Sequence, residues 1–277
     1  MNDRVLPADH ATWPVKVSCG IGVNSIAMLV GLKNRGERVD AVVFADTGSE
    51  HPETYAYIPI LRAWLKKVGF PDLTIVKNAS PIAGDASLYD ECHRKSVLPS
   101  PAYGGKSCSL KWKVEPQRKW VNRWAPALEV WARGGYVWNL IGYDNGPNEI
   151  KRAQRGQLVW PKGHWNRYPL QEWDWDRAAC VRAIEAEGLP VPRKSACFMC
   201  PNAKKFEVLA LWAENPALAA RCVELEDRAH ARGLTTVKGL GRRYAWKDLA
   251  PAEPAAEPIK DSHPHPEGAD CPTYRGA

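Results

Sequence analysis

Val15-Lys16-Val17-Ser18-Cys19-Gly20-Ile21-Gly22-Val23-Asn24-Ser25 is the stretch whose reading decides the fold. A short strand, Val15 to Val17, runs into two glycines one residue apart. Residues 24–35 follow as a helix, with Ile26, Leu29, Val30 and Leu32 apolar and Gly36 as a stop signal. Glycines after a strand let backbone N–H groups approach an anion closely, and the helix N-terminus adds a favourable field. No Gly-Lys-Ser/Thr is present, and the third glycine of a dinucleotide fingerprint is missing. Taken alone, the turn is equally compatible with a tight strand–helix junction that holds no ligand.

Working outward, Val39 to Phe44 is β-branched and apolar and predicts a buried strand ending at Ala45-Asp46-Thr47. Glu53 to Val68 predicts a helix and Leu73 to Lys77 a third strand. This β-α-β-α-β run implies a parallel sheet with right-handed crossovers, in which ligands bind at the carboxyl ends of the strands. Residues 78–107 are Gly-, Pro- and Ser-rich and predict a long excursion. Lys113 to Trp124 predicts a helix, and Tyr136 to Ile141 another buried strand ending at Gly142-Tyr143-Asp144. Residues 144–170 predict a polar, Trp-rich loop; Asp174 or Asp176 caps a helix to about Glu187; residues 190–201 form a loop. Phe206 to Arg232 holds one or two helices, broken near Asn215-Pro216. The expected division is a nucleotide-binding and cysteine domain at 1–205, a helical extension at 206–249 and a tail at 250–277.

The chain has 277 residues, 45% hydrophobic and 25% charged, which suits a soluble globular protein with one substantial core. No apolar run reaches the roughly 18–20 residues of a membrane span, and Met1-Asn2-Asp3-Arg4 lacks a signal region. The expectation is a cytoplasmic protein with no membrane partner. Residues 246–277 hold three basic and six acidic residues, a net −3, so the overall +7 leaves +10 on the rest. A basic body favours a polyanionic partner or an anionic ligand.

Eight cysteines in such a chain point to buried thiols, metal ligands or reactive groups rather than a disulfide framework. Cys197-Phe198-Met199-Cys200-Pro201 has a ligand spacing for zinc or an iron–sulfur cluster. Cys92 or His93 could add a fourth ligand, which would suit zinc. Cys180 and Cys222 read as core, Cys19 as structural within the turn, and Cys271, His263 and His265 lie in the tail. Two clusters interleave cations and aromatics: Lys111 to Trp124, and Trp160 to Tyr168. Either suits a nucleic-acid surface, although Trp120 and Trp124, four apart, could equally pack inward. Lys238 to Arg243, with Gly239 and Gly241, is a third basic stretch.

Several motifs in order resemble the PP-loop ATP pyrophosphatase superfamily, and within it the phosphoadenosine-phosphosulfate-reductase-like branch. Residues 18–25 fit a variant of the family's pyrophosphate loop, with Asn24 where the usual motif has Asp. Phe44-Ala45-Asp46-Thr47-Gly48 and Pro52-Glu53-Thr54-Tyr55 are similar to the family's second-strand motif and its sequel. Cys108-Ser109 with Lys113 and Pro116, and Gly142-Tyr143-Asp144 with Glu149 and Arg152, are similar to its later segments. The resemblance spans roughly residues 14–205.

What the resemblance implies is a three-layer α/β/α sandwich with a mostly parallel sheet, of adenine nucleotide α-hydrolase type. It implies ATP and Mg²⁺, with Ser18, Gly20, Gly22, Asn24, Ser25, Asp46, Thr47, Gly48 and Gly142 at the nucleotide. Ser25, Asp46 and Cys108 would be catalytic, and Lys113, Glu149 and Arg152 would meet substrate. Cys108 with Cys197 and Cys200 would hold a [4Fe–4S] cluster, with zinc as the alternative. Ser107 breaks the adjacent-cysteine pattern of cluster-type reductases, and residues 201–221 lack the further cysteine of DNA phosphorothioation enzymes. The implied activity is AMP- and pyrophosphate-forming sulfur transfer to DNA or tRNA. Its partners would be the nucleic acid and a sulfur-donor protein or sulfide, and a homodimer is left open. A sulfonucleotide reductase and a non-catalytic metal-containing nucleic-acid-binding protein are the alternatives.

Overall fold

The computed structural model describes residues 6–78, 84–158 and 162–251. In chain order the regular elements are β1 (Val15–Ser18), α1 (Val23–Asn34), β2 (Ala41–Asp46), α2 (Pro52–Val68), β3 (Leu73–Lys77), α3 (Leu88–Lys95), α4 (Ser107–Ser109), a π turn (Leu110–Val114), α5 (Glu115–Val121), α6 (Ala125–Ala132), β4 (Val137–Ile141), α7 (Pro147–Leu158), β5 (His164–Arg167), α8 (Pro169–Glu172), α9 (Arg177–Ala186), α10 (Lys205–Glu214) and α11 (Pro216–Ala231). The five strands are all parallel, in the order β3-β2-β1-β4-β5.

The sheet has helices on both faces, so the chain is the three-layer α/β/α sandwich expected from its N-terminal third. On one face Val17, Phe44 and Leu140 share a core with Ile26 and Leu29 of α1, Leu61 and Leu65 of α2 and Ile184 of α9. Residues 25–32 of α1 are buried all round, which follows from an apolar sequence with no polar stripe. On the other face Ala41, Val43, Ala45 and Val76 lie under Trp120 and Trp124. Those two indoles stack at 5.3 Å, so the inward-packing reading of the first aromatic cluster holds. Small strand residues leave room there for large helix residues.

Strand order reverses between β1 and β4. The chain runs outward through β2 and β3, then returns to the far side of β1. In such sheets this switch point, here at the carboxyl ends of β1 and β4, is the usual ligand position.

Two loop expectations are corrected. Residues 78–107 contain α3, capped by the Ser87 hydroxyl accepting from the Asp90 N–H at 3.1 Å. Residues 144–170 contain α7 and the edge strand β5. Part of the second aromatic cluster therefore belongs to the sheet, while Lys162 is exposed. Trp165 and Tyr168 are buried, and Arg167 pairs with Glu37 and Glu172. Asp176, not Asp174, caps α9, accepting from the Ala179 N–H at 2.7 Å. Trp160 and the tail from 252 onward lie outside the described residues.

The helices after residue 205 share one core with earlier segments. Val208, Leu211, Leu225 and Trp246 pack with Leu88, Tyr89, Trp112, Phe198 and Met199. The Cys-x-x-Cys loop is thus part of this lobe and is held by it.

Candidate active site at the strand ends

The glycine turn has a specific shape. Ile21 is buried in a left-handed conformation, φ +55°, which is strained for a β-branched residue. Gly22 caps α1. Its N–H donates to Ser25 Oγ at 3.1 Å, and the Ser25 hydroxyl donates back to the Gly22 carbonyl at 2.9 Å. Ser25 therefore shapes the turn. Beneath it, burial pushes the Cys19 thiol up to about 11, and the Ile21 N–H and Ser25 hydroxyl partly oppose that rise. Cys19 is a packing residue here.

Ser195 covers part of the turn. A Cβ on Gly22 would lie 3.1 Å from Ser195 Cβ and 3.3 Å from its backbone nitrogen. Gly142, at the end of β4, sits equally close to α1. A Cβ there would meet Asn24 O at 2.9 Å and Ser25 N at 3.0 Å. Asn24 does not reach into the turn. Its amide donates to Asp144 at 3.0 Å and accepts from Arg177 at 2.9 Å, tying β4 and α9 to α1.

The end of β2 is satisfied from within. Asp46 accepts from the Gly48 N–H and the Tyr55 hydroxyl, both at 2.8 Å, and pairs with Lys77 at 2.9 Å. Gly48, at φ +66°, lets the chain pass the α3 start; a Cβ there would lie 2.7 Å from Ser87 Cβ. The Thr47 hydroxyl donates to Glu50 at 3.0 Å and lies 3.4 Å from Cys197 Sγ.

The thiols arrive by backbone pairing. Glu50 and Cys197 form an antiparallel bridge, and the Phe198 N–H donates to the Ser49 carbonyl at 2.9 Å. Lys113 reaches the same place from the π turn and pairs with Glu50 at 2.9 Å. A π turn adds a residue to a helical turn and often marks a functional position; here Trp112 points to Glu91, at 2.7 Å, and Lys113 to Glu50. Burial would lower Lys113, but Glu50, Cys197 and Cys200 hold it well above the usual lysine range. Burial and the Glu50 carboxylate push Cys197 up, with Lys113 opposing; burial likewise raises Cys200. A metal binds thiolates, so loading one here would release the thiol protons. One oxygen of the buried Glu50, Oε2, has no hydrogen-bond partner.

Cys108 is half-buried, its N–H donating to Ser100 Oγ at 3.0 Å. It lies close enough to Cys200 and Cys92 to act on each electrostatically. Cys108, Cys197 and Cys200 thus share one neighbourhood, but among the described residues no three His, Cys, Asp or Glu side chains stand close enough to hold a metal ion. Of the two further candidates, Cys92 is buried beside Cys108, its thiol pushed up to about 12 chiefly by burial. His93 turns to Glu224, at 2.6 Å. The seven described cysteines are free thiols, with Cys180 and Cys222 fully buried in the cores as expected.

Three other expected site residues are engaged with one another or with partners outside the turn. Ser18 turns to the opposite face of the sheet, toward Gln117 at 3.0 Å and Asn139 at 3.1 Å. Side chains alternate along a strand, and Ser18 falls on the α5 side with Lys16. Glu149 and Arg152 pair with one another at 2.8 Å, and Arg152 lies over the Tyr143 ring at 4.6 Å. Glu50 and Ser195 were not legible as site residues. Glu50's only sequence signal is its place two residues after Gly48, and Ser195 carries none. A cavity of about 840 Å³ lies beside the β4–β5 edge, lined by Trp13, Trp138 and Arg167 among others, and one of about 660 Å³ lies near Trp131 and Tyr136. Neither is lined by the glycine turn or the thiols.

No family model matches the chain, and no curated protein matches it. Among solved structures it is similar to the U34-tRNA thiolase NcsA from Methanococcus maripaludis, determined with its [4Fe-4S] cluster. The two are 12% identical with a TM-score of 0.41, over 91% of this chain and 87% of that one. A likeness of that degree assigns no activity. The fold and site by themselves define a doubly wound α/β protein with a glycine turn at its switch point and a thiol pair docked beside it. No helix among the described residues is long and apolar enough to cross a membrane.

Proposed function

We propose that the chain is an AMP- and pyrophosphate-forming sulfurtransferase of PP-loop type that uses ATP with Mg²⁺ and acts on a nucleic acid, DNA or tRNA. One observation carries the reading. A single segment lays Ser195 against the glycine turn and, two residues later, pairs Cys197 with Glu50 at the end of β2. In this reading a phosphate-binding turn and a sulfur centre share one crevice.

In this reading an acceptor oxygen attacks the α-phosphorus, the α–β phosphoanhydride bond breaks, and pyrophosphate leaves. A sulfur nucleophile then displaces AMP. Amides of the turn at Gly20 and Gly22, with the α1 N-terminus, stabilise charge on the departing pyrophosphate. Ser25 and Asn24 act as positioning residues through the hydrogen bonds that fix the turn, and Gly142 lets β4 close on it. Asp46, Thr47 and Gly48 shape the surface for ribose and adenine. Lys113 keeps a positive charge beside the thiols, and Glu149 with Arg152 offers a contact to the acceptor. The donor chemistry, three soft sulfurs from two distant segments, fits an iron–sulfur centre held by Cys108, Cys197 and Cys200, with zinc as the alternative. Such a cluster, when bound, supplies an iron at which sulfur is carried to the activated acceptor.

The test is anaerobic purification followed by incubation with ATP, Mg²⁺, sulfide and either tRNA or duplex DNA. The expected products are AMP and pyrophosphate in equal amounts, with sulfur in the nucleic acid. Sulfite release from a sulfonucleotide would replace this reading with the reductase. Metal retention without nucleotide turnover would leave a non-catalytic nucleic-acid-binding protein.

A further inference from the structure

Five cations that the proposed reaction does not use gather where the C-terminal lobe meets the cysteine loop. Lys204 and Lys205 stand at the start of α10, and Lys238, Arg242 and Arg243 belong to the turn before Trp246; all five are exposed. Arg242 donates to the Asn202 side chain at 2.8 Å, and Asn202 is two residues past Cys200. The Lys205 ammonium lies 5.0 Å from the Tyr244 ring, which joins the two groups. Phe206 is 65% exposed, with the Lys204 ammonium 5.7 Å from its ring.

Two properties separate this surface from an ordinary solvated face. The first is charge. Among the described residues none of the five is in an ion pair, whereas neighbouring Arg193, Lys194 and Lys247 pair with Glu214, Glu207 and Asp227. The second is construction. Glu226 of α11 is fully buried, and its carboxylate accepts the N–H groups of Leu240 at 2.7 Å and Trp246 at 2.8 Å. A Cβ on Gly239 would lie 2.3 Å from Glu226 Oε1, so glycine is needed for the backbone to close on the carboxylate. Arg242 takes φ +62°, an uncommon conformation outside glycine, and its carbonyl accepts the Lys238 N–H at 2.8 Å. A buried acid thus holds a strained turn that presents three unpaired cations outward. Strain of this kind concentrates at ligand-binding positions.

We propose that Lys204, Lys205 and Phe206, together with the turn Lys238–Tyr244, form the docking surface for a nucleic acid with unpaired bases. The cations meet phosphates, and the exposed Phe206 offers a face on which an unpaired base stacks, while Tyr244 braces Lys205. The proposal rests on the reading above that the acceptor is a nucleic acid, and it brings that acceptor in from the Cys200 side of the crevice.

The test is fluorescence anisotropy of the full chain, without ATP, with a labelled oligouridylate of about 20 nucleotides across a salt series. The variant Lys238→Ala/Arg242→Ala/Arg243→Ala is expected to bind at least ~10-fold more weakly, with a log–log salt slope shallower by about 2. Arg242→Gly relieves the strained backbone while removing one charge, so it keeps the fold and is expected to weaken binding by a smaller factor. Phe206→Ala is expected to weaken the single strand and spare a duplex of equal length. Wild-type affinity and slope in the triple variant would overturn the proposal. So would loss of binding to phosphatidylserine vesicles with oligonucleotide binding intact, which would make the surface a membrane contact. AMP formation with ATP, Mg²⁺, sulfide and an acceptor nucleic acid all present is a separate readout. Its absence from the wild type sinks the proposed reaction and leaves the binding result standing.

Discussion

Cys197 and Glu50, 147 residues apart, are joined by an antiparallel backbone bridge, and Cys197 Sγ lies 4.0 Å from the Glu50 carboxylate. That bridge lets a loop remote in sequence sit at the end of a central strand. The Glu50 side chain is completely buried and its counter-ion is Lys113, which is one-third exposed. Glu50→Gln would leave the lysine without its anion in a poorly solvated place. We expect a loss of about 2–3 kcal/mol of stability, read by urea denaturation. An unchanged midpoint would mean that the pair is solvated in solution.

Gly142→Ala tests the switch point. The added methyl would press on Asn24 O and Ser25 N, which are backbone atoms and cannot swing aside. We expect the β4 end to move away from α1 and the affinity for ATP to fall by at least ~10-fold, read by calorimetry. Equal affinities for the wild type and Gly142→Ala would remove the β4 end from the nucleotide site.

Lys16 sets a pH dependence. It is buried in β1, donating to Gln117 at 2.9 Å, and burial lowers it to about 7 from 10.5. Between those values the unfolded chain binds a proton that the folded chain does not. Stability therefore rises with pH across that window, by up to about 1.4 kcal/mol per unit. Lys16→Met should flatten this rise and stabilise the protein at pH 7. Thermal melts of both proteins from pH 6 to 10 give the difference; parallel profiles would show that Lys16 stays charged in the fold.

Metal retention separates the cysteines. After anaerobic purification we expect Cys108→Ser, Cys197→Ser and Cys200→Ser each to lose bound iron or zinc, while Cys180→Ser and Cys222→Ser keep it. Elemental analysis with the visible absorbance spectrum reads this directly. Full metal content in Cys197→Ser would refute the ligand assignment, whatever the activity.

The N-terminal third was legible because its signals are local. Strand β3 runs over Leu73–Lys77 as read, and β1, α1, β2 and α2 fall within two residues of expectation at each end. Apolar runs, glycine stops and helical spacing act over a few residues, and a short chain segment carries them whole. Strand β5 was not legible: His164-Trp165-Asn166-Arg167 has no apolar alternation, because it is an edge strand paired on one side only. Helix α7 was missed because it is mostly polar, with Ala153 its one fully buried apolar residue among those described. α3 hid in a stretch whose Gly and Pro content argued for a loop.

By itself the sequence determined a parallel α/β sheet with a glycine turn at its first crossover, and basic character concentrated ahead of an acidic tail. Only the tertiary structure decided that β4 returns beside β1, that Ser18 faces α5 while Ser25 braces the turn, and that Glu50 receives the cysteine loop. The physical reason is range. Side-chain periodicity is fixed by neighbours along the chain, whereas pairing between segments a hundred or more residues apart depends on which backbone edges and apolar faces remain uncovered once the local elements have formed.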